Sequence, residues 1–469
     1  MSPRPGHHAA KGRRRKGTIL IVTLWIILAL VALVLLLANA MRVEALDSAR
    51  EASALKADAI EQGAIQYVLA HVDSLSGAVP TETDTPSQAV RVGDGAFWLL
   101  KPSYDDDRNW YFGVIDEASK INLNTPTSVV PDATFVNMLQ TFPDVTAELA
   151  ASIVDWRDPD SNVTPGGAES DYYMLLKDPY QCKNAPFETI DELFLVMGAA
   201  RQVLYGEDTN RNGVLDPNED DGDASDPPDN RDGQLDYGLL PFVTVYSVEP
   251  NTDANGQARI NVTTGGRALT DLLRQNLSAG RAVEIAAAAA RERRTPFLNI
   301  FDFQVRTGMT AAEFALVADR LTTSTQTTLR GLVNVNTAPK QVLMALPGLD
   351  DTDASALLAG RTQSGIDSTN VGWVASALTP AKAVLIGGLI TARSYRFSAD
   401  IVSLAQDGRA FRRCRVVIDA QNSPPKVIYR QDLTHLGWPL DPQILAHLRA
   451  GGSLDDLSPI AGVPTEVSR

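Results

Sequence analysis

Residues 18–41 read TILIVTLWIILALVALVLLLANAM, and this stretch decides the architecture of the chain. It has no charged residue and is long enough to cross the ~30 Å hydrocarbon core of a bilayer as a helix. Beyond it, small and apolar residues recur every three or four positions over residues 49–70, which is the period of a helix with one apolar stripe. The sequence therefore predicts one helix over residues 18–72, which spans a membrane first and then offers the stripe to partner helices.

A short basic segment precedes the apolar run. Residues 1–17 contain six Lys and Arg residues and no acid, which places the N-terminus in the cytoplasm and everything after Arg42 outside. Three interpretations are open: a plain single-pass anchor, a secretory signal peptide cleaved near residues 38–40, or a prepilin-type leader cut by prepilin peptidase between Gly17 and Thr18. The third explains the glycine, the basic leader and the helix that continues past the membrane. Against the second, the run exceeds the ~7–15 apolar residues usual in a signal peptide.

The rest of the chain is acidic. The 469 residues include 42 Lys and Arg against 57 Asp and Glu, a net charge of −15, and the basic leader leaves −21 for the remainder. Such a body repels nucleic-acid phosphate and suits divalent cations. The two cysteines, Cys182 and Cys414, allow either one disulfide or two buried thiols. The sequence contains no nucleophile elbow, Walker A loop or Cys/His pairing, so we expect no enzyme.

Three similar phrases recur at Ile121–Thr125, Ile260–Thr264 and Val333–Thr337, each followed by helix-like sequence. The third runs on into two short helices joined at Pro347-Gly348, a helix-hairpin-helix pattern, while the first carries Asp144 in place of that glycine. The middle copy is the poorest match. Helix-hairpin-helix units often bind DNA backbones, but acidic residues at these corners repel phosphate. We therefore expect structural modules and no nucleic-acid partner.

The segment DTNRNGVLDPNE, residues 208–219, fits the pattern of an EF-hand calcium loop at every fixed position. In such a loop the calcium ligands are side-chain oxygens and one backbone carbonyl. Glycine permits the sharp turn, and the final glutamate binds the ion with both carboxylate oxygens. The predicted ligands of a structural calcium ion are Asp208, Asn210, Asn212, Val214, Asp216 and Glu219. A weaker second site is predicted at Asn230, Asp232 and Asp236, which lacks a closing glutamate. The alternative is a solvated acidic loop.

Three further segments carry a family resemblance: GVIDEASKINLNT (113–125), DWRDPDSNVTPGGAESDYY (155–173) and NAPFETIDELFLVMG (184–198). Their order along the chain resembles that of the type II secretion system protein K family. The resemblance implies a minor pseudopilin that is cleaved by prepilin peptidase, associates with the minor pseudopilins I and J, and binds calcium in its helical domain. The second segment contains Asp155, Asp158, Asp160 and Ser161. These polar residues either form turns and helix caps or contact a metal or a partner directly.

One position departs from most pilin-like proteins. They carry glutamate at the fifth residue after the cleavage site, and here that residue is Val22. The glutamate is thought to neutralise the N-terminal amine of a neighbouring subunit in the membrane, where an unpaired charge is costly. Its lack is a hallmark of the K subunit, so the resemblance implies a subunit at the tip of the fibre.

The predicted fold class is α+β: a long transmembrane helix and a pilin-like α/β domain interrupted by a large all-α insert with helix-hairpin-helix-like modules. Strands are predicted at Ala89–Leu100, Trp110–Ile115, Phe242–Val248, Tyr395–Leu404, Arg412–Ile418 and Lys426–Tyr429. The predicted segments are a leader (1–17), the transmembrane helix (18–41), the pilin-like helix and first strands (42–118), the insert's first part with the calcium loop (119–240), a return strand (241–259), the insert's second part (260–390), the closing strands (391–453) and a disordered tail (454–469).

The sequence thus predicts a single-pass inner-membrane protein with a periplasmic body that acts in protein secretion. Two alternatives remain: a membrane-anchored helix-hairpin-helix protein of DNA uptake, and a periplasmic calcium-binding protein that is merely anchored.

Overall fold

The computed structural model describes residues 16–75, 77–81 and 83–456, with only the backbone of residues 16–18. Most of the predicted leader, and the tail beyond residue 456, lie outside the described residues. The strands are β1 (Val90–Val92), β2 (Gly95–Lys101), β3 (Tyr111–Phe112), β4 (Ile115–Asp116), β5 (Ile121–Asn122), β6 (Val243–Thr244), β7 (Val248–Pro250), β8 (Ile260–Asn261), β9 (Leu321–Thr322), β10 (Thr328–Arg330), β11 (Val333–Asn334), β12 (Ile390–Thr391), β13 (Arg396–Leu404), β14 (Phe411–Asp419) and β15 (Lys426–Asp432).

The described α-helices are α1 (Lys16–Asp73), α2 (Asp132–Leu139), α3 (Ala147–Arg157), α4 (Ser170–Tyr173), α5 (Arg201–Tyr205), α6 (Gly266–Asn276), α7 (Ala279–Glu292), α8 (Ile300–Thr307), α9 (Ala311–Ala315), α10 (Lys340–Met344), α11 (Asp351–Gly360), α12 (Val374–Ala377), α13 (Pro380–Ile386) and α14 (Pro442–Arg449). Short 3-10 helices cover Glu117–Ser119, Ile190–Leu195, Leu240–Phe242, Ala318–Arg320, Val371–Trp373, Thr434–Leu436 and Leu454–Asp456.

The long helix α1 confirms the prediction of one continuous helix and extends about 87 Å at ~1.5 Å per residue. Among the described residues, this helix alone is long and apolar enough to cross a membrane, and none of its apolar window is buried. The helix therefore fits a single-pass anchor.

Beyond the membrane segment, one face of α1 packs on the protein body. Ser53, Ala57, Ala64 and Val68 are buried there at helical spacing. This buried face is not the predicted stripe over residues 49–70, because Leu55 in that stripe is 67% exposed. Most of the stripe lies on the neighbouring face, away from the sheet, and only near its end does Tyr67 pack against Phe97 of the sheet.

A seven-stranded antiparallel sheet forms the centre of the first domain, in the order β1-β2-β13-β14-β15, with β3 paired to β2 and β4 paired to β13. Period-two alternation gives the sheet two apolar faces. The C-terminal half of α1 covers the face that contains Phe97, Leu99 and Val416, and α14 with Leu454 covers the face that contains Trp98 and Val402. The first and last parts of the chain thus build one domain.

The chain leaves this sheet after β4 and rejoins it at β13. Between them, helices α2–α13 and four two-stranded sheets share a separate apolar core. This arrangement agrees with the predicted mixed fold, in which an insert interrupts an α/β domain. The insert is not all-α as predicted, because it contains the short strands β5–β12 in four two-stranded sheets.

The three repeated phrases form the same local structure. Each begins with a two-residue strand that pairs in parallel with a strand later in the chain: β5 with β6, β8 with β9 and β11 with β12. In each, an Asn side chain (Asn122, Asn261 or Asn334) accepts a hydrogen bond from the backbone N–H two residues on, at 2.8–3.0 Å. Its amide donates to the segment beyond the partner strand. The middle copy, poorest in sequence, keeps the geometry.

Helix pairs follow the repeats, and two of their corners match closely. Asp144 between α2 and α3 has a φ of 59°, and Gly348 between α10 and α11 has a φ of 72°. Thr146 and Asp350 then cap the following helices through side-chain oxygens. An aspartate therefore occupies the left-handed position that glycine occupies in the third repeat.

Several predicted boundaries change. The predicted strand Ala89–Leu100 is a hairpin, because Gly93 adopts a φ of 56° and turns β1 back onto β2. The predicted return strand within 241–259 does not return to the large sheet: β6 and β7 pair with β5 and β10 inside the insert. The predicted tail begins too early, since Leu454 is buried in a 3-10 turn.

The two cysteines lie in different cores. Cys182 is buried in the insert and Cys414 is buried beneath α1, and both are free thiols. The alternative of two buried thiols therefore describes the structure, and the disulfide does not form.

Candidate functional site

The predicted calcium loop follows α5 and makes the sharp turn that its sequence requires. The Asp208 carboxylate accepts hydrogen bonds from the backbone N–H groups of Asn212 (3.0 Å) and Gly213 (3.1 Å). Gly213 has a φ of 74°, which favours glycine. Val214 donates its backbone N–H to the side-chain oxygen of Asn212 at 2.8 Å. The turn is thus built by its own polar side chains.

The remaining predicted ligands close the loop. The side-chain amides of Asn210 and Asn212 donate to Asp216 Oδ2 at 2.6 and 2.9 Å. The Glu219 carboxylate accepts from the backbone and hydroxyl of Thr209, both at 2.9 Å, and from the backbone of Asp216 at 3.2 Å. The structure therefore brings the two ends of the predicted loop together.

The electrostatics of the loop favour a cation. Burial raises the pKa of Asp208 to about 6, and burial together with repulsion from Asp208 raises the pKa of Glu219 to about 7. Neither carboxylate forms an ion pair with Lys or Arg in the described part of the chain. No three Asp, Glu, His or Cys side chains converge as a ready metal cluster among the described residues, and Asp216 instead accepts from the two Asn amides. The oxygen donors of the loop fit calcium if the Asp216 carboxylate gives up its hydrogen bonds to the Asn210 and Asn212 amides.

The weaker predicted site lies close to this loop. The Asn230 amide donates to Asp236 Oδ2 at 2.9 Å, and the Asn230 oxygen accepts from the backbone of Asp232 at 2.8 Å. The backbone N–H group of Asn230 and that of Asp236 each donate a hydrogen bond to the Glu207 carboxylate, both at 3.2 Å. Burial raises the pKa of Glu207. Sequence reasoning missed this glutamate, although it directly precedes Asp208.

A buried arginine joins the calcium loop to the large sheet. Arg413 in β14 is fully buried, and its guanidinium donates to the carbonyls of Asn210 (2.5 Å) and Arg211 (2.6 Å). The same group pairs with Asp400 of β13 at 3.1 Å. Asn212 also donates to the carbonyl of Pro439 at 3.1 Å. The loop of the insert is therefore docked on the first domain.

Two family models described as type II secretion system (T2SS), protein K match residues 121–205 and 333–386. Both stretches of the chain are therefore similar to protein K of the type II secretion system. No curated protein sequence matches it. The crystal structure of the GspK-GspI-GspJ complex from the enterotoxigenic Escherichia coli type 2 secretion system includes a chain with 13% identity and a TM-score of 0.41, covering 81% of this chain and 96% of that one.

The corner between α10 and α11, which lies within the second matched stretch, is acidic. Lys382 contacts both Asp350, at 3.0 Å, and Asp353, and Lys340 contacts Asp351 at 2.6 Å. The basic side chains at the corner are therefore neutralised by carboxylates, which disfavours a DNA phosphate at this place.

The predicted processing residues lie at the start of α1. Gly17 and Thr18 are within the helix, and their side chains are not among those described. The basic residues before Lys16 lie outside the described residues.

Proposed function

We propose that this protein is the K-type minor pseudopilin of a type II secretion system and acts at the tip of the pseudopilus. The supporting observation is the combination of two protein K domains with a helix that is continuous from an exposed apolar half to the packed sheet. The apolar half lies in the inner membrane, with the N-terminus in the cytoplasm and the body in the periplasm. The role is structural rather than catalytic.

Prepilin peptidase cuts this protein between Gly17 and Thr18. The basic leader ends in glycine directly before the apolar run, which is the order of charge and hydropathy that a prepilin-type leader has. Cleavage leaves Thr18 as the N-terminus of a helix that can pack among other pseudopilin helices.

The tip position rests on Val22. A subunit with an apolar residue there has no carboxylate to neutralise the amine of a neighbour in the membrane. The first subunit of a fibre has no subunit above it and needs no such pair. Its partners are the minor pseudopilins I and J, as in the solved complex to which the chain is similar.

Mass spectrometry of the mature N-terminus tests the proposal, in cells with and without prepilin peptidase. We expect a peptidase-dependent N-terminus at Thr18 and co-purification with pseudopilins I and J. An intact Gly17 in both strains, without those partners, would instead support the anchored calcium-binding alternative.

We also propose that residues 208–219 bind a structural calcium ion. The buried Asp208 and Glu219 carboxylates supply charge that the loop itself does not neutralise, and Asn210, Asn212, Asp216 and the Val214 carbonyl complete the predicted ligand set. Asn230, Asp232 and Asp236 form the weaker site, now with Glu207. Binding stabilises the folded state because only that state holds the ligands together.

The change Glu219→Gln tests the calcium loop, and Asp220→Asn is its matched control because Asp220 is the adjacent exposed acid. We expect calcium to raise the melting temperature of the wild type and of D220N but to stabilise E219Q much less. The measurement is a thermal melt in calcium and in chelator. Equal calcium-dependent shifts in all three proteins would refute the site.

A further inference from the structure

A cleft with a volume of about 590 Å³ opens within the insert. Strand β10 and the segments that follow β9 and β12 form much of its walls. No residue of α1, of the large sheet or of the acidic loop 208–219 lines it. Ligand clefts in proteins usually have volumes of ~300–1,000 Å³, so this one has room for a short peptide segment.

One wall of the cleft is an open strand edge. Within the described residues β10 pairs with β7 alone. The backbone N–H of Asn251 donates to the Thr327 carbonyl at 2.9 Å, so Leu329 belongs to the next hydrogen-bonded pair of this antiparallel ladder. The backbone groups of Thr328 and Arg330 therefore point away from β7, and neither N–H has an acceptor in the described part of the chain. Such an edge can accept a further strand from another chain.

The cleft has an excess of positive charge, although the whole chain has a net charge of −15. Its charged lining residues are three arginines and two carboxylates: Arg259, Arg330, Arg393, Glu249 and Asp319. Glu249 lies 2.8 Å from Arg259, and both are nearly buried. Asp319 lies 2.8 Å from Arg393. Arg330 is exposed and forms no ion pair with any residue that the structure describes, so the unpaired charge of the cleft is a guanidinium.

Arg393 supplies a second unused donor, at the floor of the cleft. This residue is only 4% exposed. Its Nε donates to the Thr369 carbonyl at 3.2 Å and its Nη2 donates to Asp319 Oδ2 at 2.8 Å, which holds the guanidinium in place. Its Nη1 is buried and has no acceptor among the described residues. Because an unpaired buried donor is costly, a ligand oxygen that accepts from Nη1 would be bound favourably.

We propose that this cleft binds an extended, acidic peptide segment of a partner protein. The segment adds to β10 as a third strand, and its backbone pairs with the free N–H and C=O groups of Thr328 and Arg330. Its carboxylate side chains bind Arg330 and Arg393 Nη1, because a guanidinium forms strong, charge-assisted hydrogen bonds to carboxylates. Leu298 and Val129 also line the cleft, are 75% and 40% exposed, and suit apolar side chains of the same segment. This interaction is separate from the packing of α1 with other helices.

Fluorescence anisotropy of labelled peptides on the full chain in detergent tests this interaction. The probes are end-blocked octapeptides of Thr, Ser and Val in which a single Glu is placed at each position in turn, and each has a Gln counterpart. Blocked ends exclude a terminal carboxylate as the bound group. We expect saturable binding of at least one Glu peptide, at least tenfold tighter than its Gln counterpart and weakened by salt. Equal affinity for every Glu and Gln pair, or no saturable binding by any peptide, would overturn the proposal.

Two variants separate the charge from the strand edge. Arg330→Gln should weaken the Glu peptide at least tenfold and leave its Gln counterpart unchanged. Its matched control is Arg294→Gln, which should change neither, because Arg294 is exposed, lies outside the cleft and forms no ion pair among the described residues. Thr328→Pro should abolish binding of both peptides yet keep the melting temperature, because proline is tolerated where the strand N–H points away from its neighbour. Wild-type binding by both R330Q and T328P would refute the cleft as the docking site.

A second copy of this chain is the other candidate occupant of the open edge, since two unpaired strands can pair with each other. Size-exclusion chromatography with light scattering over a range of protein concentrations distinguishes the two. We expect the wild type and T328P to have the same mass at every concentration. A concentration-dependent dimer that T328P converts to a monomer would show that β10 pairs with its own copy, and the acidic partner would be excluded.

Discussion

Arg413 shows how one side chain determines the relation between the two domains. It lies in β14, next to Cys414, which packs beneath α1. Although Arg413 is charged, its side chain is completely buried. Its guanidinium donates to two carbonyls of the calcium loop and pairs with Asp400. A planar group with several fixed donors can serve both domains at once, which a lysine cannot do.

We expect Arg413→Met to lower the free energy of unfolding by about 3–5 kcal/mol, the usual cost of breaking a buried ion pair. The loss should arise because Asp400 keeps only its contact with Arg415, and two loop carbonyls lose their donor. Arg409→Ala is the control: Arg409 is half exposed and pairs only at the surface with Asp407, so its effect should stay within about 0.5 kcal/mol. Denaturant unfolding measures both, and equal values would contradict the proposed role of Arg413.

At the scale of elements, the sequence predicted the helices and strands that are long enough to show a hydrophobic period. Helix α1 was predictable because apolar spacing continues without proline over more than fifty residues, and the strands around Tyr395–Leu404 and Arg412–Ile418 were predictable from alternation. The repeated Asn phrases were visible as well. Strand β6 lies within the predicted strand Phe242–Val248, but the partners β9 and β12 were not predicted, since a two-residue strand is too short to show a period.

Of the candidate sites, the loop of residues 208–219 could be recognised because its predicted calcium ligands are contiguous in sequence, and calcium binding there stays a prediction. Arg413 and Glu207, which support the two parts of that site, were missed for a physical reason. Each acts through contacts that form only after folding. Arg413 contacts the loop from more than two hundred residues away in sequence, and the Glu207 carboxylate accepts hydrogen bonds from the backbone N–H groups of Asn230 and Asp236.

The helix corner of the third repeat gives an element-scale prediction. Gly348 has a φ of 72°, and an added Cβ would lie 2.9 Å from Leu385, so Gly348→Ala should cost about 1–2 kcal/mol. Gly280→Ala is the matched control, because Gly280 lies exposed in α7 with nothing within 4 Å of an added Cβ. That change should stabilise the protein by about 0.5–1 kcal/mol. Thermal melts of both variants decide the point: destabilisation by both, or by neither, would show that the corner conformation is not what matters.

At the scale of the whole molecule, α1 serves two structural purposes in one helix. Its first half is apolar on every side and buries nothing against the body, whereas its second half supplies one wall of the core under the large sheet. The opposite wall comes from α14 at the other end of the chain. The insert interrupts this domain without replacing either wall.

This division predicts where the chain can be shortened. A protein that begins at Arg42 loses no side chain that is buried among the described residues 19–41, so we expect it to be soluble without detergent and to keep the free energy of unfolding of the full chain. A protein that begins at Gln66 loses Ile60 and Ile65, each worth about 1.5–3 kcal/mol of burial, together with Ala57 and Ala64. It also loses the Glu61 contact to Arg430. Because net stability is only about 5–15 kcal/mol, the shorter protein should not fold. Circular dichroism and denaturant unfolding distinguish the two, and aggregation of the protein that begins at Arg42 would mean that the apolar half of α1 also stabilises the body.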